Sequence, residues 1–334
     1  MSAYGLGPLP GTSIAEAADL IVGETGDLPH LPQLPARGLG SDLIGCTAGL
    51  LAAVTVDRGP RSWIMTDRPQ LLTRRTWDRM ARDLDECEEA WGTSLTALKV
   101  QVAGPWSLAA SIELANGHRV ITDRGALRDL TDALIEGTNA HVADVAKRFH
   151  LDPAEVVVQL DEPRLPAVVA GELRGATDFH PVRAVNATDA AERLAHVVES
   201  LDAEQVLLNQ TGYAPLWELA VKCGARTVLV TLDQIRGTEQ LDGIGQAVAN
   251  GLRVGLGVTG PEDRVDELGE RPREKAVRVA RFWDELSLDR ELLATAVDVH
   301  PRGPVTEGTA VDAAHAYRMA VAVEGMLTRD AGDP

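Results

Sequence analysis

Along this chain, short runs of consecutive apolar residues alternate with longer stretches in which apolar residues recur every three or four positions. A continuous Val/Leu run predicts a strand buried on both faces, and the longer period predicts an amphipathic helix. Strands are predicted over 3–8, within 51–66, and over 97–105, 155–163, 204–209, 226–233, 252–258 and 295–301. Helices are predicted from Ser13, where SIAE has the form of a capping box, and over 76–91, 124–149, 187–201, 214–223, 239–250, 273–287 and 307–327.

This alternation of strands and helices is typical of parallel sheets with right-handed crossovers. About eight such units in 334 residues predict an α/β protein with a (β/α)8 TIM barrel. We expect one barrel domain over residues 1–334, with its core at about 3–327 and a flexible tail at 328–334. The alternative is a doubly wound open sheet, which the lack of a GxGxxG or GxxxxGKS/T sequence disfavours.

Composition indicates the compartment and the classes of partner that we expect for the protein. The formal net charge is −18, and so acidic a surface disfavours nucleic acid and anionic lipid as partners. No apolar run approaches twenty residues, and the N-terminal MSAYGLGPLPG lacks the features of a signal peptide. The cysteines, Cys46, Cys87 and Cys223, are too scattered to predict a disulfide framework or a ribbon-type zinc site. We therefore expect a cytoplasmic protein without nucleic-acid or membrane partners.

One strand end carries two adjacent carboxylates. The run VVVQL ends in Asp161 and Glu162, and Pro163 follows. In a TIM barrel the active site lies where strands end. In the structural interpretation, one carboxylate caps the next helix, whose first residue is Pro163. In the functional interpretation, a carboxylate at the barrel mouth binds a ligand's ammonium group or accepts a proton. The two interpretations are compatible if each carboxylate has one role.

Other strand ends carry small or polar residues that suit a rim facing a ligand. They are Gly7 and Pro8, the GPW sequence ending at Trp106, and Asn209, Thr211 and Asp233. The Gly-Pro pair of GPW is either a tight turn that lets a ligand approach or ordinary loop sequence. His300 is either an acid–base group or a hydrogen-bonded structural histidine. His30 lies in the proline-rich segment 27–38, which we expect either over the barrel mouth or as a surface connection.

Four segments, GLGPLPGT, LPHLPQLPARG, KVQVAGPWSLA and VQLDEPRLP, together resemble the C-terminal catalytic barrel of the cobalamin-independent methionine synthase family. The resemblance extends from about residue 5 to about residue 325 and is closest to short actinobacterial forms made of that barrel alone. It implies a barrel of the uroporphyrinogen decarboxylase and methionine synthase type. It also implies an S-methyltransferase of methionine biosynthesis, in which a zinc ion holds the homocysteine thiolate.

The resemblance implies roles for two parts of the site. The aspartate of QLDEP, Asp161, is expected to bind the ammonium group of the amino acid. The segment GPLPG, with Gly7 and Pro8, is expected to contact its carboxylate. Pro8 replaces the usual serine of this segment, so the serine hydroxyl is lost.

The expected zinc ligands are not matched. Positions that hold His, Cys and an acidic residue in the family fall on Asn209, Thr211 and Thr231, with Asp233 nearby. No cysteine follows the last strand. Amides and hydroxyls are poor zinc ligands, so we expect no bound zinc although the family uses it.

Three functions remain open from the sequence. The first is methyl transfer to a thiol, with substrate contacts expected from Asp161, Glu162, Gly7, Pro8, Trp106, Asn209, Thr211 and Asp233. The second is a non-catalytic barrel that binds a small amino-acid-like ligand or a protein partner. The third is a metal-free decarboxylase-like enzyme, whose Arg-rich N-terminal motif is not visible here. The first two imply an amino acid or thiol as ligand, and the first also implies a methyl-donor protein or another donor.

Overall fold

The structure, a computed structural model, describes residues 1–59, 61, 63–176, 181–266 and 270–330. Its helices are α1 (Ile14–Glu24), α2 (Leu43–Leu50), α3 (Leu71–Trp91), α4 (Pro105–Ser111), α5 (Arg124–Phe149), α6 (Leu165–Ala170), α7 (Ala187–Ser200), α8 (Trp217–Lys222), α9 (Thr238–Ala249), α10 (Glu270–Glu285), α11 (Arg290–Ala296) and α12 (Ala310–Asp330). Its strands are β1 (Thr55–Arg58), β2 (Trp63–Thr66), β3 (Leu98–Ala103), β4 (Ile112–Glu113), β5 (Val156–Asp161), β6 (Val206–Asn209), β7 (Thr227–Thr231), β8 (Arg253–Thr259) and β9 (Val297–Pro301).

Within the described residues, the main sheet contains six parallel strands in the order β3-β5-β6-β7-β8-β9. Within this sheet, each strand pairs with the one that follows it in chain order, and among the described strands only β4 of the other sheet intervenes, between β3 and β5. All six correspond to predicted strands, so the α/β class with a parallel sheet is confirmed. The strand order has no reversal, whereas a doubly wound sheet reverses its order at the switch point. The sheet is therefore wound in one direction.

Both faces of this sheet are buried, as the continuous apolar runs predict. Every residue of β3 and of β5 is buried. One face packs against the helices through side chains such as Val100 and Val158. The opposite face, called the inner face below, carries a smaller apolar cluster of Tyr4, Leu6, Val157, Leu207 and Leu229. The inner face is where polar side chains are also found.

The N-terminal segment lies along the edge strand β9. The Tyr4 amide donates to the Val299 carbonyl at 3.2 Å, and the Val299 amide donates to the Ser2 carbonyl at 2.9 Å. The predicted strand 3–8 is therefore placed beside the last strand of the sheet. It is not a regular strand, since Ala3 forms only an isolated bridge there.

The proline-rich segment 27–38 lies along the opposite edge strand, β3. One isolated bridge joins His30 to Lys99 of β3. A second joins Pro8 of segment 3–8 to Gln33 of segment 27–38, and these are called the two N-terminal segments below. This placement differs from the expected loop over the barrel mouth. Proline has no amide hydrogen to donate, so these contacts remain single bridges instead of a continuous ladder.

A strand within 51–66 is confirmed, since β1 and β2 lie there, but among the described residues neither of them joins the main sheet. Strands β1 and β2 form an antiparallel hairpin, and β2 pairs with the short β4 in a separate sheet. The polar residues Asp57 and Arg58 interrupt the apolar run. A short, partly exposed hairpin suits such a run better than a strand buried on both faces.

The predicted helices are confirmed, with the closest agreement at α5. Helix α1 begins after Ser13, whose hydroxyl accepts a hydrogen bond from the Glu16 amide at 3.3 Å. Residues 328–330 of the predicted tail belong to helix α12, which continues to Asp330, and residues 331–334 lie outside the described residues. Among the helices of the described chain, none combines the length and apolar character needed to cross a lipid bilayer.

Gly5 lies where the N-terminal segment contacts the side chains of His30 and Tyr317, and this contact leaves no room for a Cβ. A Cβ at Gly5 would lie 2.3 Å from His30 Nε2 and 2.5 Å from the Tyr317 hydroxyl.

We predict that Gly5→Ala lowers the free energy of unfolding by about 1–3 kcal/mol through overpacking. Gly23→Ala is the matched control, because helix α1 leaves no atom within 4 Å of the added carbon. It should raise the free energy of unfolding by about 0.5–1 kcal/mol. Urea denaturation measures both, and equal effects would contradict this placement.

Candidate functional site

The two carboxylates of the DEP sequence have different surroundings. Asp161 is the last residue of β5 and pairs in register with Ala103. Because side chains alternate along a strand, Asp161 shares the inner face with Gln159. Glu162 is the next residue and lies against helix α4, on the other face of the sheet.

Asp161 ends a chain of buried polar groups. The Lys99 ammonium donates to Gln159 Oε1 at 2.5 Å, and Gln159 Nε2 donates to Asp161 Oδ1 at 2.7 Å. Asn209 Nδ2 donates to the same Asp161 oxygen at 2.5 Å. The other oxygen, Oδ2, has no hydrogen-bond partner among the described residues, and Asp161 is 5% exposed. The protein therefore fixes one carboxylate oxygen and leaves the other free at the strand end.

Burial controls the charge of this chain of polar groups. It raises the pKa of Asp161 above its ordinary value, while hydrogen bonds from Asn209 and Gln159 and the charge of Lys99 oppose the rise. Burial also lowers the pKa of Lys99, and the charge of Asp161 opposes that change. Each ion therefore favours the ionised form of the other. A positive ligand group beside Asp161 would further favour its carboxylate form.

Glu162 caps helix α4. Its carboxylate accepts hydrogen bonds from the Trp106 amide at 3.0 Å, the Ser107 amide at 2.8 Å and the Ser107 hydroxyl at 2.6 Å. Burial raises the pKa of Glu162 to about 7, against the effect of these hydrogen bonds. A capping role is thus correct, but the capped helix precedes the motif. The helix after it, α6, begins at Leu165 and not at Pro163.

The GPW sequence is built around the same carboxylate. A Cβ on Gly104 would lie 2.3 Å from Glu162 Oε1, so the glycine leaves the space that this carboxylate fills. Pro105 is the first residue of α4, where no amide hydrogen is needed. The Trp106 indole donates to the Ala190 carbonyl of helix α7 at 3.0 Å. GPW and DEP therefore form one structural unit, and a contact between Trp106 and a ligand stays a prediction.

The structure brings Asn209 together with Asp161, as a shared site requires. Asn209 ends β6, the strand next to β5, and pairs in register with Asp161. The Thr211 amide donates to Asn209 Oδ1 at 2.9 Å. This hydrogen bond orients the Asn209 amide so that its nitrogen points to Asp161. Thr211 thus supports the site through its backbone.

Thr231 and Asp233 have other partners. The Thr231 hydroxyl donates to the Arg302 carbonyl at 2.6 Å and accepts a hydrogen bond from the Gly212 amide at 3.4 Å. The Thr231 hydroxyl therefore links the segments that follow β6 and β9 to the end of β7. Asp233 forms an ion pair with Arg278 of helix α10. Its side chain is not among those that meet at Asp161, and its role in ligand binding stays a prediction.

Gly7 lies beside the same polar groups. Gln159 Nε2 donates to the Leu6 carbonyl at 2.9 Å, so the residue before Gly7 shares this nitrogen with Asp161. The φ of Gly7 is +112°, a conformation that glycine adopts without strain. Pro8 follows at the bridge between the two N-terminal segments. The structure thus brings the predicted GPLPG segment close to Asp161.

Sequence reasoning missed the polar residues inside the strands. Lys99, Gln101 and Gln159 are buried, and Gln101 pairs in register with Gln159 on the inner face. The signal is present in KVQV and VVVQLD, where polar residues occupy alternate positions of an otherwise apolar run. Alternation of this kind marks one face of a strand as polar.

His300 and His30 fit the structural interpretation. His300 Nδ1 lies 2.7 Å from the Pro301 carbonyl oxygen, and its ring stacks on Tyr4 with centroids 6.0 Å apart. His30 Nε2 lies 3.1 Å from the Tyr317 hydroxyl. Burial lowers the pKa of His300 to about 4 and that of His30 to about 3. Both rings are therefore neutral at pH 7.

The residues at the family's zinc positions do not fit zinc. Asn209, Thr211 and Thr231 offer amide and hydroxyl groups, whereas zinc sites use thiolate, imidazole or carboxylate. In the part of the chain that the structure describes, no three His, Cys, Asp or Glu side chains are grouped so that they could hold a metal ion. The thiols lie in or beside helices, with Cys46 in α2, Cys87 in α3 and Cys223 after α8. Amide and hydroxyl groups at these positions are thus unsuited to zinc, and the lack of bound zinc stays a prediction.

Comparisons with known proteins concern the fold. The chain is similar to the solved structure of a B12-independent methionine synthase from Shewanella sp. W3-18-1 in complex with selenomethionine. The TM-score is 0.50 at 10% sequence identity, and the alignment covers 83% of this chain and 75% of that chain. No protein-family model matches the chain, and no curated protein matches it by sequence. At this identity the likeness shows the fold alone.

We predict that Glu162→Ala lowers the free energy of unfolding by about 1–3 kcal/mol, because the α4 amides lose a buried acceptor. Glu172→Ala removes an exposed carboxylate that follows helix α6 and should change the free energy of unfolding by less than about 0.5 kcal/mol. Urea denaturation of both variants tests the cap.

The same experiment has an expected pH dependence. The pKa of Glu162 rises from 4.5 to about 7 on folding, so the folded state binds this proton more tightly. The native protein should therefore lose stability relative to Glu162→Ala as the pH rises from 4.5 to about 7. A difference that is constant with pH would contradict a raised pKa.

Proposed function

We propose that the parallel sheet closes into a (β/α)8 TIM barrel in which the two N-terminal segments are the first two strands. Isolated bridges support this arrangement, since they join β9 to the first segment, the first segment to the second, and the second to β3. The helices pack on the outer face, as a barrel requires. The carboxyl ends of the strands then surround one mouth, where the active sites of this fold lie.

We propose that the protein binds a small amino-acid-like ligand at this mouth, through an ion pair between Asp161 and the ligand's ammonium group. The observation that carries the proposal is the free Oδ2 of Asp161, beside an Oδ1 that accepts two hydrogen bonds. A buried carboxylate is costly unless charged or polar donors surround it. An ammonium group supplies a charge-assisted hydrogen bond at the open side.

The charge distribution supports a cationic group at this place. The formal net charge of −18 raises the local concentration of cations around the protein. Lys99 is fully buried and donates to Gln159, so it leaves the outer oxygen of Asp161 to the ligand. The Asn209 amide holds the carboxylate in place from the neighbouring strand.

Methyl transfer to a thiol such as homocysteine is the second candidate. It is favoured by the QLDEP and GPW sequences and by the likeness to a methionine synthase in complex with selenomethionine, which is itself an amino acid. The geometry supports binding more strongly, because Asn209, Thr211 and Thr231 do not suit the zinc that the family uses. As a methyltransferase the protein would also need a methyl donor, such as a donor protein.

We also propose that the protein acts in the cytoplasm. Cys46, Cys87 and Cys223 are free thiols, as expected in a reducing compartment. Burial raises the pKa of each of them, to about 12, 12 and 11, so the thiols stay protonated. The acidic composition gives no support to a nucleic-acid partner.

We predict that homocysteine and methionine bind, and that Asp161→Asn weakens their binding about ten- to a hundred-fold. The reason is that a hydrogen bond to a charged group contributes about 1.5–3 kcal/mol. Isothermal titration calorimetry measures the affinities, and Asp202→Asn is the control because it removes an exposed carboxylate that lies before β6, at the end of the strand away from Asn209. An unchanged affinity in Asp161→Asn would rule out the proposed ion pair.

The pH dependence of this binding follows from the carboxylate form of Asp161. Its pKa is raised above 3.8, so binding to the native protein should weaken as the pH falls toward and through that raised value. The Asp161→Asn variant should show no such step.

We predict far less than one zinc ion per chain in protein purified without chelator, with or without homocysteine. The physical reason is the poor donor set at the family's zinc positions. Elemental mass spectrometry measures the metal, and a chelator should leave ligand affinity unchanged. About one zinc per chain would contradict the expected lack of zinc and make methyl transfer the leading candidate, while leaving the Asp161 ion pair to be decided by the binding experiment.

A further inference from the structure

Two buried glutamines have side-chain oxygens without a partner. Gln33 is 7% and Gln101 is 6% exposed, and no described residue donates to Oε1 of either. The nitrogens fix how each amide is oriented. Gln33 Nε2 donates to the Gln101 carbonyl at 3.3 Å, and Gln101 Nε2 donates to the Lys99 carbonyl at 3.3 Å. Both oxygens are therefore free acceptors, which are costly to leave unpaired when buried.

These amides meet beside Gly7. A Cβ on Gly7 would lie 3.2 Å from Gln33 Oε1 and 3.0 Å from Gln101 Cδ. The glycine therefore lets both amides pack closely against the N-terminal segment. The carbonyl just before Gly7 shares Gln159 Nε2 with Asp161. The two glutamines thus belong to the same region of the inner face as the proposed ammonium site.

The strand register gives the spacing between the two groups. Gln101 pairs with Gln159 on the neighbouring strand, and Asp161 lies two residues further along. Neighbouring strands are about 4.8 Å apart and two residues advance roughly 6.6 Å, so the backbones of Gln101 and Asp161 are roughly 8 Å apart. A chain of four carbon atoms with a donor at each end suits this spacing.

We propose that Gln33 and Gln101 form a second subsite, which accepts a hydrogen bond from the far end of the ligand that Asp161 holds. This subsite rests on the proposed function. It selects a small organic ammonium ion with a hydroxyl or amino group about four carbons away. It disfavours a carboxylate at that end, because two carbonyl oxygens repel an anion. An amino acid with a donor at the end of its side chain belongs to this class if its α-carboxylate lies toward the open mouth.

Water is the competing occupant of this subsite. Gln33 and Gln101 also line a crevice of about 70 Å³, together with Leu31, Cys46 and Met80. A crevice of that size is large enough to hold water, and a water that reached both oxygens would satisfy them in the liganded protein as well. In that case the far end of the ligand would not affect affinity.

A pair of ligands with equal charge tests the subsite. 4-Aminobutan-1-ol and n-pentylamine differ only in a terminal hydroxyl or methyl group, so their general attraction to the acidic protein is the same. Calorimetry on the native protein should show at least about tenfold tighter binding of the amino alcohol. 5-Aminopentanoate, which ends in a carboxylate, should bind no more tightly than n-pentylamine.

Variants locate the preference in the glutamines. Gln33→Met and Gln101→Met should abolish it, whereas Gln246→Met, at an exposed position of helix α9, should retain it. Urea denaturation checks that each variant folds, and the ligand pair on the native protein decides the question if one does not. Equal affinity of the native protein for the two amines overturns the subsite and leaves the Asp161 site standing. Failure of both amines to bind while homocysteine or methionine binds overturns the subsite alone, and failure of all four ligands overturns both proposals.

Discussion

The structure depends on the hydrogen bonds of one buried side chain, Gln159. Its oxygen accepts a hydrogen bond from Lys99, and its nitrogen donates to the Leu6 carbonyl and to Asp161. A buried ammonium and a buried carboxylate are each costly alone, and this amide connects them on the inner face. The bond to Leu6 joins positions 153 residues apart, so it also ties the N-terminal segment to the middle of the sheet. One side chain thus serves both the fold and the site.

The two motifs that resemble the methionine synthase family have a role in packing that is independent of any reaction. The Glu162 carboxylate fills the space left by Gly104 and accepts the first amides of helix α4. This contact holds α4 against the sheet whatever the strand ends bind. The GPW and DEP sequences are therefore evidence about fold, and only Asp161 of the pair carries an argument about function.

The inner face offers more acceptors than donors. Within the described residues, His300 Nε2 and the oxygens of Gln33 and Gln101 are buried without partners, and Oδ2 of Asp161 is also free. The nitrogen of the Asn209 amide is already used by Asp161. These unpartnered acceptors favour a donor-rich ligand, and the acidic composition of the whole chain favours a positively charged one.

The sequence by itself determined the elements and the position of the key carboxylate. Hydrophobic period and helix caps act within a few residues, so the six strands of the main sheet, helix α5 and the strand end at Asp161 could be read from local pattern. Tertiary structure alone decided the partners. Glu162 caps a helix through a residue 55 positions earlier, and Asp161 meets an amide 48 positions later. Strand pairing in space likewise brings the glutamines beside Asp161 and places segment 27–38 at the edge of the sheet. Contacts between distant segments leave no signal in the local hydrophobic period of either segment.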